Sequence, residues 1–122
     1  MLFRSNPSAT VHVTGNAAGV ISALGNKTGT VTLNMATSNN FSMTLTGNGT
    51  LANPTNLVPG QSGVIAITQD ATGSRTLAYG TYWLFQNGTN PTLSTAAGSL
   101  DCLTYYVVSS TKILANLVKG LA

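Results

Sequence analysis

The sequence predicts an all-β protein, an antiparallel β-sandwich or jelly-roll-like single domain, and three features support this. Apolar and polar residues alternate along most of the chain, which is typical of strands with one buried face. Turn signals rich in Gly, Asn, Pro and Ser separate the alternating runs, giving about eight to ten short strands. Charged residues make up only 6% of the chain, while 43% is apolar, so neutral hydroxyl and amide groups occupy the polar positions.

The first half of the chain is expected to contribute four strands. These cover residues 10–13, 19–24, 30–35 and 41–46. In the last two, apolar residues occupy every second position, so each strand has one apolar and one hydroxyl-rich face. Segment 36–40 between them is polar and has the length of a hairpin turn. We therefore expect 30–35 and 41–46 to pair as antiparallel strands.

The second half is expected to contribute five further strands, over residues 64–69, 74–79, 81–85, 100–108 and 111–118. The first two are predicted to form a hairpin closed at residues 71–73, which brings Asp70 and Arg75 together. Its core-facing residues are expected to be Ile65, Ile67, Leu77 and Tyr79, with the Thr and Gln side chains outward. Segment 100–108 is apolar on both faces, which places it between two layers.

The length of 122 residues indicates one domain, with boundaries at residues 9 and 122. Residues 1–8 precede it and are expected to form an extended arm, because Leu2, Phe3 and Arg4 come shortly before Pro7. The first ten residues lack the apolar core of a secretory signal peptide. No apolar run reaches the ~20 residues that span a bilayer. Both features favour a protein made in the cytoplasm of its producer.

The scarce ionisable residues give little support for catalysis. Acid–base chemistry needs two positioned carboxylates or a His with an orienting partner, and the chain offers only Asp70, Asp101 and His12. Asp70 is expected to bond the backbone of its own turn, Asp101 to cap the loop before its strand, and His12 to lie on the outer face of an early strand. Cys102 lies in an apolar stretch and is expected to be a buried thiol. We expect no catalytic residue, no cofactor and no metal site.

The five cations do not form a nucleic-acid surface. They are Arg4, Lys27, Arg75, Lys112 and Lys119. They are widely spaced and not interleaved with aromatic residues, whereas binding to phosphates needs several clustered cations. Nucleic acid and membrane are therefore not expected partners, and neither is a small-molecule substrate.

Several short motifs resemble a module that recurs in bacteriophage and prophage virion proteins. They are PGQSG (59–63), ITQD (67–70), GSRTL (73–77), PTLSTAAG (91–98) and YYVV (105–108). The similarity extends over approximately residues 41 to 118. It implies a structural protein and carries no catalytic set with it. In virion proteins the module is similar to a C-terminal domain of longer tail or fibre chains.

The resemblance and the low charge lead to a first hypothesis, a capsid decoration (cement) protein on the outer capsid surface of the virion. Such a protein would form a homotrimer and clamp neighbouring copies of the major capsid protein. Few ions need be desolvated when a neutral surface docks. Candidate contact residues are Leu2, Phe3 and Arg4 in the arm and Ile113, Leu114, Leu117 and Val118 in the last strand. At least two of the last four are expected to be core instead.

The alternative hypothesis is a tail-associated or receptor-binding module that recognises a host glycan. Trp83, Tyr79 and Tyr82 with neighbouring Asn/Thr loops would then form a shallow stacking surface. Core packing is the competing and favoured explanation for these aromatic residues. A glycan-acting enzyme is a third class, and the missing pair of carboxylates argues against it.

Overall fold

The computed structural model describes residues 14–16 and 18–122. The predicted arm, the strand at 10–13 and His12 lie outside these residues. The described part contains seven strands: β1 Ile21–Val31, β2 Asn40–Leu51, β3 Ser62–Gln69, β4 Leu77–Tyr79, β5 Trp83–Leu84, β6 Leu100–Ser109 and β7 Lys112–Val118. A 3-10 turn, Gln86–Gly88, follows β5. Within the same residues, no helix has the length and apolar character needed to cross a membrane.

All seven strands belong to one sheet, in the order β1-β2-β3-β6-β7-β5. Strands β3 and β4 both pair with β2, at different positions along it. Strand β3 pairs with residues 41–45 of β2, and β4 pairs with residues 49–51. The predicted all-β class is confirmed. The two-layer sandwich is not, since the strands of the described residues form a single curled, open sheet.

The first part of the sheet is parallel. Strand β1 pairs with β2 from Ile21 opposite Asn40 to Val31 opposite Leu51, and β3 pairs with the other edge of β2 in the same direction. The chain therefore winds round and returns to the same end before each new strand begins. The predicted antiparallel hairpin of 30–35 with 41–46 is wrong.

The segment after β1 shows why that prediction failed. Val31, Leu33 and Met35 are all buried, as their alternation indicates. The backbone of this segment nevertheless bonds with Thr55: the Met35 N–H donates to its carbonyl and the Thr55 N–H donates to that of Leu33, both at 2.9 Å. Alternation fixes which side chains face inward, but it does not identify the pairing partner.

Two irregularities in the pairing of β1 with β2 curl this part of the sheet. One extra residue lies in β1 between Ala23 and Asn26, where Gly25 has a φ of 74°. A second irregularity lies in β2, where Gly47 passes so close to the Thr28 hydroxyl that a Cβ there would overlap it. Bulges bend a strand and increase its twist. The result is a concave face that can enclose a core.

The core fills this concave face and takes alternate residues from each strand. Its members are Val31, Leu33, Met35, Phe41, Met43, Leu45, Leu51, Ile65, Ile67, Leu77, Trp83, Leu93, Leu103, Tyr105, Val107 and Ile113. The prediction that 100–108 is buried on both faces is wrong. Tyr106 and Val108 on the convex face are 47% and 48% exposed, because no second layer of the described residues covers that face.

The predicted hairpin of 64–69 with 74–79 is also wrong, since β4 pairs with β2 instead of β3. Ile65, Ile67 and Leu77 do face the core, and Tyr79 is half-buried. Gln69 faces inward, contrary to the prediction, and is 3% exposed. Its amide donates to the carbonyls of Arg75 (2.8 Å) and Ser94 (2.9 Å), and its oxygen accepts from the Arg75 N–H. A buried amide with these bonds holds two loops against the sheet.

Candidate functional site

The carboxylate of Asp70 bonds to groups of its own turn. It accepts from the N–H groups of Thr72 (3.1 Å) and Gly73 (3.0 Å), and it pairs with the Arg75 guanidinium at 2.8 Å. The hydrogen bond from Arg75 is the main cause that holds the pKa of Asp70 below its usual value. Both predicted contacts of Asp70 are confirmed, and its role is to fix the loop between β3 and β4.

Asp101 is 2% exposed and joins two separate segments to β6. One carboxylate oxygen accepts from the Ser94 N–H at 2.7 Å, and the other accepts from the Gly120 N–H at 2.9 Å. Burial alone would raise the pKa of this carboxyl, but the two N–H donors outweigh it, so the pKa lies below its usual value. The predicted cap on the preceding loop is confirmed, and the contact with the C-terminal segment adds to it.

Both carboxylates are therefore bonded within the fold. Across the described part of the chain, no group of three or more His, Cys, Asp or Glu side chains could hold a metal ion. Cys102 is half-buried on the convex face, so the expectation of a fully buried thiol is wrong. It lies on the uncovered side of β6, between Ala66 and Val118 on the neighbouring strands.

The aromatic residues proposed for glycan stacking are largely core. Trp83 is 3% exposed, and its indole N–H donates to the Ala52 carbonyl at 3.1 Å. Its ring packs edge-on against Tyr105, with ring centroids 6.3 Å apart. Tyr79 and Tyr82 are half-buried beside the core. No stacking surface centred on Trp83 exists, and the core explanation of that residue is confirmed.

The predicted partner residues separate into two groups. Ile113 is fully buried and Leu117 packs against the core, whereas Leu114 and Val118 are 51% and 41% exposed on the convex face. Their alternation along β7 accounts for the division. Leu2, Phe3 and Arg4 lie outside the described residues. A contact with further copies of the chain or with a capsid protein stays a prediction.

A groove that the sequence does not reveal lies between segment 85–91 and β7. It encloses about 420 Å³ and is lined by Phe85, Gln86, Asn87, Thr89, Pro91, Ala115, Asn116 and Leu117. Strand β5 pairs with β7 only at Ile113 and Leu114. The chain then turns away while β7 continues to Val118, and the groove opens where the two diverge.

The loop that forms the outer wall of the groove has a defined backbone. Asn87 and Gly88 adopt left-handed conformations with φ of 58° and 65°, which Asn and Gly tolerate best. The N–H groups of Gly88 and Thr89 donate to the carbonyls of Phe85 (3.0 Å) and Gln86 (3.2 Å). The Asn-Gly pair predicts a turn here. Its position beside β7 depends on the fold.

Comparison with known protein families matches residues 27–110 to a family described as "Putative phage tail fibre C-terminal domain". No curated protein and no solved structure shows a significant match. The matched region covers more than half of the chain and includes every motif that resembles phage virion proteins, so that resemblance is confirmed. The chain belongs to this phage tail fibre C-terminal domain family and is a structural module of bacteriophage virions.

Proposed function

We propose that this chain is a non-catalytic, tail-associated domain through which a phage tail fibre contacts the surface of its host cell. The family match over residues 27–110 is the observation that carries this proposal. The match favours the tail-associated alternative over capsid decoration, for which no finding gives support. A fibre domain works by presenting a surface, so its outward side chains matter more than any reactive group.

The outward side chains fit that role. On the convex face of β6 and β7, Tyr106, Val108, Leu114 and Val118 are exposed together with the neutral residue Asn116. Lys112 at the start of β7 is the one cation exposed on this face among the described residues of the strand, so docking desolvates few ions. The carboxylates of Asp70 and Asp101 are bonded to backbone N–H groups of neighbouring loops. Both therefore serve the fold, which supports a non-catalytic role.

Immunogold electron microscopy of the virions that contain this chain tests the proposal. Antibodies raised against the purified chain are expected to label the tail fibres. Antibody pre-absorbed with the purified chain provides the control and should label nothing. Gold particles distributed over the capsid, with unlabelled tails, would contradict the proposal and support decoration instead.

A further inference from the structure

We propose that the groove between segment 85–91 and β7 binds a neutral, polyhydroxylated ligand with the chemistry of a saccharide ring. The assignment of this ligand to a host-cell glycan rests on the proposed function. The ligand chemistry rests on the groove alone, through its lining, its unused hydrogen-bonding groups, its charge and its rigidity.

The lining combines an apolar floor with a polar rim. Phe85, Pro91, Ala115 and Leu117 are half-buried and form the apolar part. The rim residues are exposed: Gln86, Asn87 and Thr89. Asn116 also borders the groove, but its side chain alternates with those of Ala115 and Leu117 and belongs to the convex face. A sugar ring also has two kinds of surface, apolar C–H faces and a hydroxylated edge. The floor can pack against such a face while the rim bonds the hydroxyl groups.

Two amides on the rim differ from the amides that hold the fold together. Asn53 and Gln69 each bond two or more partners within the fold, and Gln61 bonds three through its amide nitrogen alone. The side-chain amides of Gln86 and Asn87, in contrast, make no hydrogen bond with other described residues. An amide offers both donors and an acceptor, which is what a sugar hydroxyl requires. Both residues line the groove and have no side-chain partner among the described residues.

The absence of charge in the groove lining favours some hydroxylated ligands over others. No ionisable side chain lines the groove, so an acidic sugar or a phosphate would find no cation to compensate for its lost hydration. The volume of about 420 Å³ lies within the range of small-ligand sites, roughly 300–1,000 Å³. The groove therefore favours a neutral ligand of one or two sugar rings.

The groove is also preformed, since its two walls are held by bonds within the fold. Hydrogen bonds inside the 3-10 turn hold the outer wall, and β6 supports the inner wall through its pairing with β7. The edge of β7 from Ala115 onwards faces no other strand among the described residues, so its backbone groups can add to the rim. A preformed site loses less conformational entropy on binding.

Titration of the ¹⁵N-labelled full chain by NMR tests the proposal. The probes are neutral hexoses, N-acetylhexosamines and their disaccharides, with the matching uronic acids as charged counterparts. We expect shift changes confined to the side-chain amides of Gln86 and Asn87 and to the backbone of residues 85–91 and 115–117. At least one neutral sugar should bind, and its uronic acid should bind more weakly.

Three variants establish where the ligand binds. Gln86→Ala and Asn87→Gly each remove an amide, and glycine retains the left-handed backbone at position 87. Each should weaken binding roughly two- to tenfold, the effect of losing one hydrogen bond. Asn26→Ala removes an exposed amide on β1, at the opposite edge of the sheet, and should leave binding unchanged.

The outcomes separate this proposal from the proposed function. Shift changes outside the groove, equal binding of charged and neutral sugars, or no response to any probe would overturn the saccharide assignment. Labelling of the tail fibres by antibody would still stand in each of these cases. Conversely, capsid labelling would leave the groove's saccharide binding intact and remove only the host-cell source of the ligand.

Discussion

Replacing Gly63 with alanine is expected to destabilise the protein by about 3 kcal/mol or more. An added Cβ would overlap the carbonyl oxygen of Asn39 and lie 2.7 Å from its carbon. That carbonyl cannot move away freely, because it accepts the hydroxyl hydrogen bond of Tyr105. The substitution therefore forces β3 away from the start of β2.

Urea unfolding followed by circular dichroism measures this effect. Ser62→Ala is the matched control, since Ser62 is exposed in the adjacent position and should change stability by no more than about 0.5 kcal/mol. If Gly63→Ala is as stable as the wild type, the close approach of β3 to Asn39 is wrong.

Asp101→Asn is expected to cost about 2–4 kcal/mol. The asparagine oxygen can accept from one of the two backbone donors, Ser94 or Gly120. Its NH₂ group then meets the other N–H and leaves it unbonded in a buried site. The loop 94–99 and the C-terminal segment should both loosen, which hydrogen exchange at Ser94 and Gly120 would report.

The dependence of stability on pH gives a second readout for Asp101. The pKa of this carboxyl is lower in the folded protein than its usual value of about 3.9. Its contribution to stability is therefore complete above about pH 5 and is lost progressively as the pH falls through the folded pKa. Asp101→Asn should show a smaller loss of stability in acid than the wild type.

The stability loss of Asp70→Asn is the comparison for that of Asp101→Asn. Asp70 also has a lowered pKa, but it lies on an exposed turn and pairs with a partly exposed Arg75. Its substitution should therefore change stability much less, because solvent screens the pair. Equal losses for the two variants would contradict the structural role assigned to Asp101.

In segments 30–35 and 41–46 the sequence pattern correctly predicts which side chains face the core. Val31, Leu33, Met35, Phe41, Met43 and Leu45 alternate with polar residues, and all six are buried. The role of Asp70 and its pairing with Arg75 also follow from local turn chemistry. These features depend on residues close in sequence, and local physics is sufficient for them.

The pairing of strands does not follow from the same pattern. A short polar segment such as 36–40 is compatible with a hairpin, and nothing local shows that β1 and β2 run parallel. Residues 100–108 are apolar at most positions, which is also compatible with an exposed face on a domain that contacts partners. Gln69 looks like an outward residue until the loops that it bonds are placed.

The groove could not be predicted from the sequence either, and the reason is related. Its two walls come from residues 85–91 and 115–117, which meet only because β5 pairs briefly with β7. Composition hints at such sites through the abundance of Asn and Thr, but many of these residues bond within the fold. Only the three-dimensional arrangement separates the amides that hold the structure from those that remain available.

The parallel winding of β1, β2 and β3 underlies this account, because it creates the single concave core and leaves the convex face uncovered by other described residues. Backbone nuclear Overhauser contacts of Ser42 test it most directly. The structure predicts contacts from Ser42 to Ala23 on one side and to Ala66 on the other. Contacts from Ser42 to residues 32–35 in an antiparallel ladder would contradict it.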